Sequence, residues 1–493
     1  MISFIIALAA LIGGYFIYGR FVSRVFGADP HRETPVHQMA DGVDYVALPS
    51  WKIFLIQFLN IAGLGPIFGA IMGVMYGPAA FLWIVFGTIF AGGVHDYLSG
   101  MLSIRQKGAS LPEIVGSQLG GKVKNIMRGF SLMLMILVGA VFVYNPADLL
   151  SRMTPETFDT MFWVVAIFIY YMAATLLPID KLIGKLYPLF GFALLFMAAG
   201  ICVMLFVNSG SVPEIWQQFY NHKPDPEANP IFPMMFVSIA CGAISGFHAT
   251  QSPMMARCLK NEKHARPIFY GAMVAEGIVA LIWAAAAVAF TEGYTELDDF
   301  LGGGSPAILV DNLSKTWLGT VGGILAILGV IAAPITSGDT ALRSARLIAA
   351  DFMNVKQKKI MKRLAVSIPI FALCFVVMLL PYDALWRYFA WCNQVLAVFT
   401  LWTATVWLAD RQKNYYISMI PALFMTCVTV SYIFFAPEGF QSMAFSLLGL
   451  EIPYWFAVGM GVTVSTVFVY LFRRRLTRRQ AETNGMINEI DSL

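Results

Sequence analysis

His95, Asp96, His248 and Glu276 stand inside otherwise apolar stretches, where an ionisable group is costly and is retained to handle ions, protons or substrate. His95 and Asp96, adjacent in GGVHDYLSG, suit a proton relay or a cation ligand, with a structural ion pair to Arg105 as the competing expectation. His248, in GAISGFHATQSPMMAR, can donate to an anion or titrate near neutral pH. Glu276 has no basic neighbour in its own apolar run, so it is either a proton carrier or a neutral acid hydrogen-bonded between helices. A metal centre built from these four would call for tight ligand spacing such as HExxH; none occurs, which argues against a membrane-embedded enzyme and leaves no metal ligand set assigned. A second group offers hard oxygen donors of the kind an alkali cation takes: Thr336 and Ser337 follow Pro334 in APITSGDT. Asp339, just beyond them, is expected to pair with Arg343 one turn later. Asn393 and Gln394, beside Trp391, either line a path or pack between helices.

Such residues need elements of membrane length to hold them. Hydrophobic residues make up 58% and charged residues 13% of the 493-residue chain, which excludes an ordinary soluble protein. Runs near the roughly 20 residues that span a bilayer fall at 2–19, 52–75, 78–103, 125–145, 159–178, 183–208, 231–257, 267–291, 316–342, 362–381, 384–409, 415–436 and 452–472. The first run has no basic segment ahead of it, and Arg20 and Arg24 follow, so it is expected to be a span and not a cleaved leader. Thirteen spans with the N-terminus outside put 29 of the 33 Lys and Arg residues on the cytoplasmic side, leaving Arg152, Lys223, Lys315 and Arg387 outside. One span more or fewer would invert the later loops and destroy that bias. The external loops at 209–230, 292–315 and 437–451 have room for short amphipathic helices and carry no assigned chemistry. Six cysteines, without a CxxC pair, are expected as small buried residues. The basic tail RRRLTRRQ from Arg473 is expected as a topology anchor, with contact to anionic lipid as the alternative.

Two spans are interrupted at mid-membrane. The second reads IFLIQFLNIAGLGPIFGAIMGVMYG, in which Gln57 and Asn60 precede Gly63, Gly65 and Pro66; the seventh turns polar over 242–257. Glycine weakens a helix and proline removes a donor, although close packing also selects intramembrane glycine. Broken backbone at this depth is tolerated only where protein buries it or it lines a cavity. The second and seventh spans are five apart and cross in opposite directions, so each can open a five-helix unit, at 52–208 and 231–409. Two inverted units with matching breaks point to a secondary transporter with a midplane site. The expected fold is therefore an all-α polytopic membrane protein of about 13 helices: a 5+5 inverted-repeat core, additional helices in 1–51 and 410–472, and a cytoplasmic tail at 473–493.

The spacing of Ala333, Thr336 and Ser337, set against unwound carbonyls near Leu59 and Ala62, resembles the sodium site of the bacterial leucine transporter fold, and that resemblance implies these five residues as cation ligands. Pro66 stands where that fold commonly has a polar residue. Longer motifs, ISGFHATQSPMMARCLKNE at 244–262, DGVDYVA at 41–47, GGVHDYLSGMLSIRQKGASLPEI at 92–114, YGAMVAEGIVALIWA at 270–284 and APITSGDTALRSARLIAAD at 333–351, resemble the carbon starvation protein A family over most of the transmembrane region. The resemblance implies an inner-membrane secondary transporter used when preferred carbon runs out, with pyruvate and small peptides as proposed substrates; some members are longer than this chain.

The expected mechanism is cation-coupled import by alternating access. Substrate would bind between the second and seventh spans, at Asn60, Gly63, Gly65, Ser245, Gly246, His248, Thr250, Gln251 and Ser252. Neither Lys nor Arg sits at the midplane, so half-helix N-termini near Gly65 and Ser252 would supply most of the anion binding, together with Ser245, His248 and Thr250. A sodium ion at Leu59, Ala62, Ala333, Thr336 and Ser337, or a proton carried by the group of His95, Asp96, His248 and Glu276, would bias the outward-open state. Spans two, three, seven and eight would then rock to release both inside. The expected partners are a small solute and membrane lipid, with no nucleic acid and no cofactor beyond the coupling ion, sodium or proton; oligomeric state is left open. A channel and a transporter-like nutrient sensor are the alternatives. The expected location is a bacterial inner membrane, N-terminus outside and C-terminus in the cytoplasm.

Overall fold

The computed structural model describes residues 1–42, 45–176, 179–208, 212–302, 304–355, 359–380 and 382–490, with side chains placed except at 175–176, 179–186, 326–327, 382–383 and 482–490. Val43 and Asp44 of the DGVDYVA motif, Gly303, Lys356 and Lys358, and the side chains of Lys181 and Lys185, lie outside the described residues. Helices and their connections account for the described chain, and no strand forms among those residues. In hydrocarbon each backbone N–H and C=O needs a partner within its own segment, which helices provide.

Nine described helical stretches are long and apolar enough to cross a membrane, and eleven are if each of two bent pairs counts as one. Those pairs are Ser50–Ile61 with Gly65–Val74, bent by 54°, and Ala307–Leu325 with Leu328–Phe352, bent by 57°. Thr160–Ala174 is apolar but shorter. The seventh expected span is divided into pieces, Ile231–Met235, Phe236–Ser238, Ala240–Ala243 and Gly246–Ala256. Length and composition thus establish a multi-pass helical protein without fixing the number thirteen.

Several boundaries move. Helix replaces much of the loop expected at 292–315: Tyr294–Leu301 is helical and the next helix starts at Ala307. Its polar Asp311, Asn312 and Lys315 lower the hydropathy, and Lys315 and Asp311 form a 2.8 Å ion pair one turn apart. The fourth span runs as one helix from Gly121 to Met153, through Pro146. The basic tail continues the last helix, Tyr454–Ile490, and docks on protein: Arg475 and Arg479 reach Asp410 at 3.3 and 2.8 Å.

Six helices position the site, here labelled in chain order: α1 (Ser50–Ile61), α2 (Gly93–Arg105), α3 (Gly246–Ala256), α4 (Gly271–Thr291), α5 (Ala332–Phe352) and α6 (Tyr382–Ala409). The spans containing α2, α4 and α6 are mostly buried, whereas the first (Ile2–Phe26) and last (Tyr454–Ala481) expose most of their apolar surface at the periphery. Glu214 holds the start of the first span, accepting from the Met1 ammonium at 2.6 Å and from the Ile2 and Ser3 amides at 2.8 Å.

Beyond its bend the second span presents Gly65, Gly69 and Gly73 to the first half of the broken seventh span. A Cβ on Gly65 would stand 2.1 Å from the Cβ of Cys241, and one on Gly73 2.0 Å from Cγ1 of Ile239. The same place at Gly69 is 3.1 Å from the Ser238 carbonyl oxygen. Backbone therefore meets backbone, so these glycines serve close packing while the chain unwinds just before them, at Ala62 to Leu64. Gly65→Ala is expected to lower the thermal stability of the detergent-solubilised protein by about 1–3 kcal/mol, the usual cost of overpacking. Adding Cys241→Gly should recover part of that loss, as read by differential scanning fluorimetry.

Candidate functional site

The seventh span breaks at Ile244 and Ser245, which are fully extended at φ −160° and −145°. Two extended residues leave buried donors and acceptors without helical partners, each costing about 1–3 kcal/mol if unmet. Side chains from α6 meet them. Asn393 Oδ1 accepts from the Phe247 N–H at 2.6 Å and from the Ser245 hydroxyl at 3.0 Å, while its amide nitrogen reaches Cys241 Sγ at 3.3 Å. Gln394 Nε2 donates to the Ala240 and Ile244 carbonyls at 3.1 and 3.2 Å. Thr88 Oγ1 donates to the Gly242 carbonyl at 3.1 Å. Asn393 and Gln394 thus brace the break. Gly246 lies against the same helix, where a Cβ would be 2.4 Å from the Asn393 carbonyl oxygen.

The second span unwinds after α1, with Ala62 at φ −81°, ψ 46°. The Leu59 carbonyl accepts from Ser337 Oγ on α5 at 3.1 Å, and Thr336 Oγ1 turns back to the Ala333 carbonyl at 2.8 Å. Gly63 is beside this contact, its Cβ direction 3.5 Å from Ser337 Oγ. Two tyrosines secure the start of α5 from outside: Tyr171 Oη donates to the Phe142 and Pro334 carbonyls at 3.1 and 3.4 Å, and Tyr187 Oη reaches the Thr336 carbonyl at 3.1 Å and Asp339 Oδ2 at 3.2 Å. Arg343, the partner expected for Asp339, donates to the Ala174 carbonyl at 2.8 Å.

Helices α2, α3 and α4 bring four fully buried titratable side chains into one chain. His95 Nδ1 lies 2.7 Å from Asp96 Oδ1, and His248 Nδ1 lies 2.9 Å from Asp96 Oδ2. His248 Nε2 faces Glu276 Oε2 at 3.4 Å. Asp96 is shared by two imidazoles, and His248 bridges two carboxyl groups. Asp96 is hydrogen-bonded to both imidazoles, whereas His248 Nε2 and both Glu276 oxygens are buried without a hydrogen-bond partner, so the 3.4 Å gap must close before a proton can pass between Glu276 and His248. Arg105 takes no part: it pairs with Glu262 at 2.7 Å and donates to the Gly27 carbonyl at 3.0 Å. It follows Asp96 by nine residues, about 14 Å along a helix. No three His, Cys, Asp or Glu side chains group as metal ligands among the described residues.

The remaining expected substrate residues are all buried around the break. Thr250 Oγ1 returns to the Phe247 carbonyl at 2.7 Å, and Gln251 Nε2 donates to Thr250 Oγ1 at 2.9 Å. Ser252 Oγ donates to the His248 carbonyl at 3.0 Å and accepts from Ser99 Oγ at 3.2 Å. Ser245, Thr250 and Ser252 therefore hydrogen-bond within the protein, as does His248 through Nδ1 but not through Nε2. Asn60 differs: both polar atoms of its side chain are buried without a protein partner, as are both of Gln57, and Gln251 Oε1 is in the same condition. Gln57 was not among the expected site residues, although its spacing of three from Asn60 puts both on one face of α1. Thr88 and Tyr187 were also missed; a lone hydroxyl in an apolar span has no sequence signal for the distant carbonyl it meets.

The family model for carbon starvation protein CstA matches this chain over residues 1–161, 147–302 and 300–432. An uncharacterized membrane protein of Haemophilus influenzae is 43% identical over 352 residues, covering 62% of this chain and 95% of that one. The peptide transporter CstA of Bacillus subtilis is 27% identical over 344 residues, 57% of each chain. The pyruvate/proton symporter BtsT of Escherichia coli is 28% identical over 335 residues, covering 55% of this chain and 47% of the symporter. The match thus spans about half the length of each of these two named transporters. A manganese transporter from Eremococcus coleocola has a similar fold, with a TM-score of 0.55, 12% identity, and coverage of 89% of this chain and 99% of that one.

The bracing of the break generates a direct test. Asn393→Ala leaves the Phe247 N–H and the Ser245 hydroxyl unmet and is expected to reduce stability by about 1–3 kcal/mol. Asn393→Asp keeps the accepting oxygen and should fall nearer the wild type in the same melting assay.

Proposed function

The chain belongs to the carbon starvation protein CstA family, and on that premise we propose that it imports small carboxylates such as pyruvate, or short peptides, by proton-coupled alternating access during carbon starvation. The observation that carries this reading is the buried chain from His95 through Asp96 and His248 to Glu276, with 2.7, 2.9 and 3.4 Å separations. It joins α2, α3 and α4, which come from both proposed five-helix units, so a proton moving along it acts where those units meet. The transporter names of the relatives give the reading its substrate class, and one of them is a proton symporter. They also support a carrier over a channel, a sensor or a membrane enzyme.

In this reading thirteen spans cross a bacterial inner membrane with the N-terminus outside and the C-terminus in the cytoplasm, which the distribution of Lys and Arg supports. The units at 52–208 and 231–409 form the inverted core, and the helices in 1–51 and 410–472 are additions. Substrate sits between the two breaks. Gln57, Asn60 and Gln251 supply the unpartnered polar atoms there, and Gly63 and Gly65 keep the unwound backbone free of side chains. Protonation of Glu276 changes how His248 and Asp96 pair, and spans two, three, seven and eight rock in response. A sodium-coupled version has its own observation: the Leu59 carbonyl meets Ser337 Oγ beside Thr336 and Ala333, with Ala62 at the turn.

Uptake into proteoliposomes under imposed gradients tests both. A proton gradient should drive accumulation of labelled pyruvate or peptide, and Glu276→Gln should remove that dependence while counterflow exchange survives. If sodium drives uptake instead, Thr336→Ala with Ser337→Ala should abolish the sodium dependence. Unchanged proton-driven uptake by Glu276→Gln would refute the relay, and the absence of any concentrative uptake would refute the carrier.

A further inference from the structure

A cavity of about 380 Å³ opens on the face that the proposed orientation puts outside. It is lined by Met72 and Tyr76 at the end of the second span, Val237 and Ser238 of the broken seventh, and Trp386 of α6, so both broken spans contribute to its wall. Small-molecule sites occupy roughly 300–1,000 Å³, so the space is of the right order for a compact solute. Of the four basic residues that the charge pattern leaves on this face, Lys223 and Arg387 both line this cavity. Asp298 and Asp225 line it too.

The charges are arranged as a bridge across the opening. Lys223 Nζ meets Asp298 Oδ1 at 2.8 Å, tying the connection after the sixth span to the Tyr294–Leu301 helix, and lies 5.6 Å from the centre of the Tyr76 ring. The two side chains are only 17% and 18% exposed, so neither is fully solvated. Arg387, also in the lining, faces Glu438 at 3.7 Å, and Asp225 accepts from the Ala228 N–H at 3.0 Å.

We propose that this cavity is a capture site for short zwitterionic peptides, which enter the Lys223–Asp298 bridge with their carboxylate on Lys223 and their ammonium on Asp298. The inference rests on the import reading and narrows its substrate class. A zwitterion inserted into the bridge replaces one ion pair by two and leaves every charge matched. A monocarboxylate can take Lys223 only by stripping Asp298 of its partner, and a half-buried charge without a partner is strongly destabilising. The lining suits varied peptide side chains, since Met72 and Met75 are unbranched and adapt to different shapes, so capture reads the peptide ends and not its sequence.

The experiment compares trialanine, N-acetyl-trialanine and trialanine amide as labelled substrates in proteoliposomes. Asp298→Asn should raise the KM for trialanine about tenfold with little change in kcat, the value of a charge-assisted hydrogen bond, and lower the KM for the N-acetyl peptide, whose carboxylate no longer has to strip Asp298 of its partner. Lys223→Gln should do the same for trialanine and lower the KM for the amide, whose ammonium then meets an Asp298 without a competing partner. An equal loss for all three peptides would make the bridge merely structural and overturn the proposal, as would pyruvate competing for the site as well as trialanine does. Binding is read separately from transport. Trialanine should raise the melting temperature of the purified wild type, and not that of the Lys223→Gln, Asp298→Asn double variant, in which no charge is left unmatched. A melting shift without any uptake would uphold capture and refute import; a double variant with wild-type KM and wild-type shift would refute capture alone.

Discussion

A polypeptide that gives up helix in the middle of a bilayer must find another partner for each freed backbone group, and here those partners come from distant helices. Asn393 and Gln394 serve three backbone groups around the seventh break, Thr88 serves a fourth, and Ser337 serves the Leu59 carbonyl at the other break. Without them several unmet groups would each cost about 1–3 kcal/mol, comparable in sum to the whole stability of a typical fold, about 5–15 kcal/mol. The Phe247 N–H held by Asn393 also fixes where α3 begins. His248 is the next residue, so the bracing bond determines that its ring falls between Asp96 and Glu276.

That placement explains how four titratable side chains share a wholly buried space. A buried charge is tolerated when it is paired and hydrogen-bonded; Asp96 meets that condition through both imidazoles, and Glu276 faces His248 at 3.4 Å without a hydrogen bond. The pairs cross helices, with Asp96 and His248 separated by 152 residues in sequence. Relative movement of α2, α3 and α4 therefore changes the number of compensated charges, and a change of protonation alters which arrangement is favoured. Chemistry and conformation are linked here by the same three contacts.

Much of the architecture was legible because membrane spans are written in local composition: the apolar runs became helices, and the glycines of GLGPIFG and the polar stretch at 244 marked real interruptions. Boundaries failed where a helix carried polar residues, as at Ala307 to Lys315, since hydropathy cannot separate a polar helix from a loop. Partnerships were less legible than positions. Arg105 looked like the natural counterion for Asp96 and lies well along the helix from it, while the actual neighbours come from α3. Asn393 and Gln394 were equally compatible with a path and with a brace, because the groups they serve lie about 150 residues away. Gln57 was visible as a polar residue but acquired meaning only once its atoms proved unpartnered.

The glycine ridge at Gly65, Gly69 and Gly73 makes the molecule mechanically lopsided. With 2.0 and 2.1 Å where side chains would otherwise begin, the facing halves of the two broken spans have no clearance in which to slide or turn past each other. They are geared together. Bending is left to the residues that are already out of helix, Ala62 to Leu64 on one side and Ile239, Ile244 and Ser245 on the other. The two facing halves are thus coupled at the glycine ridge, and a displacement of one is passed to the other.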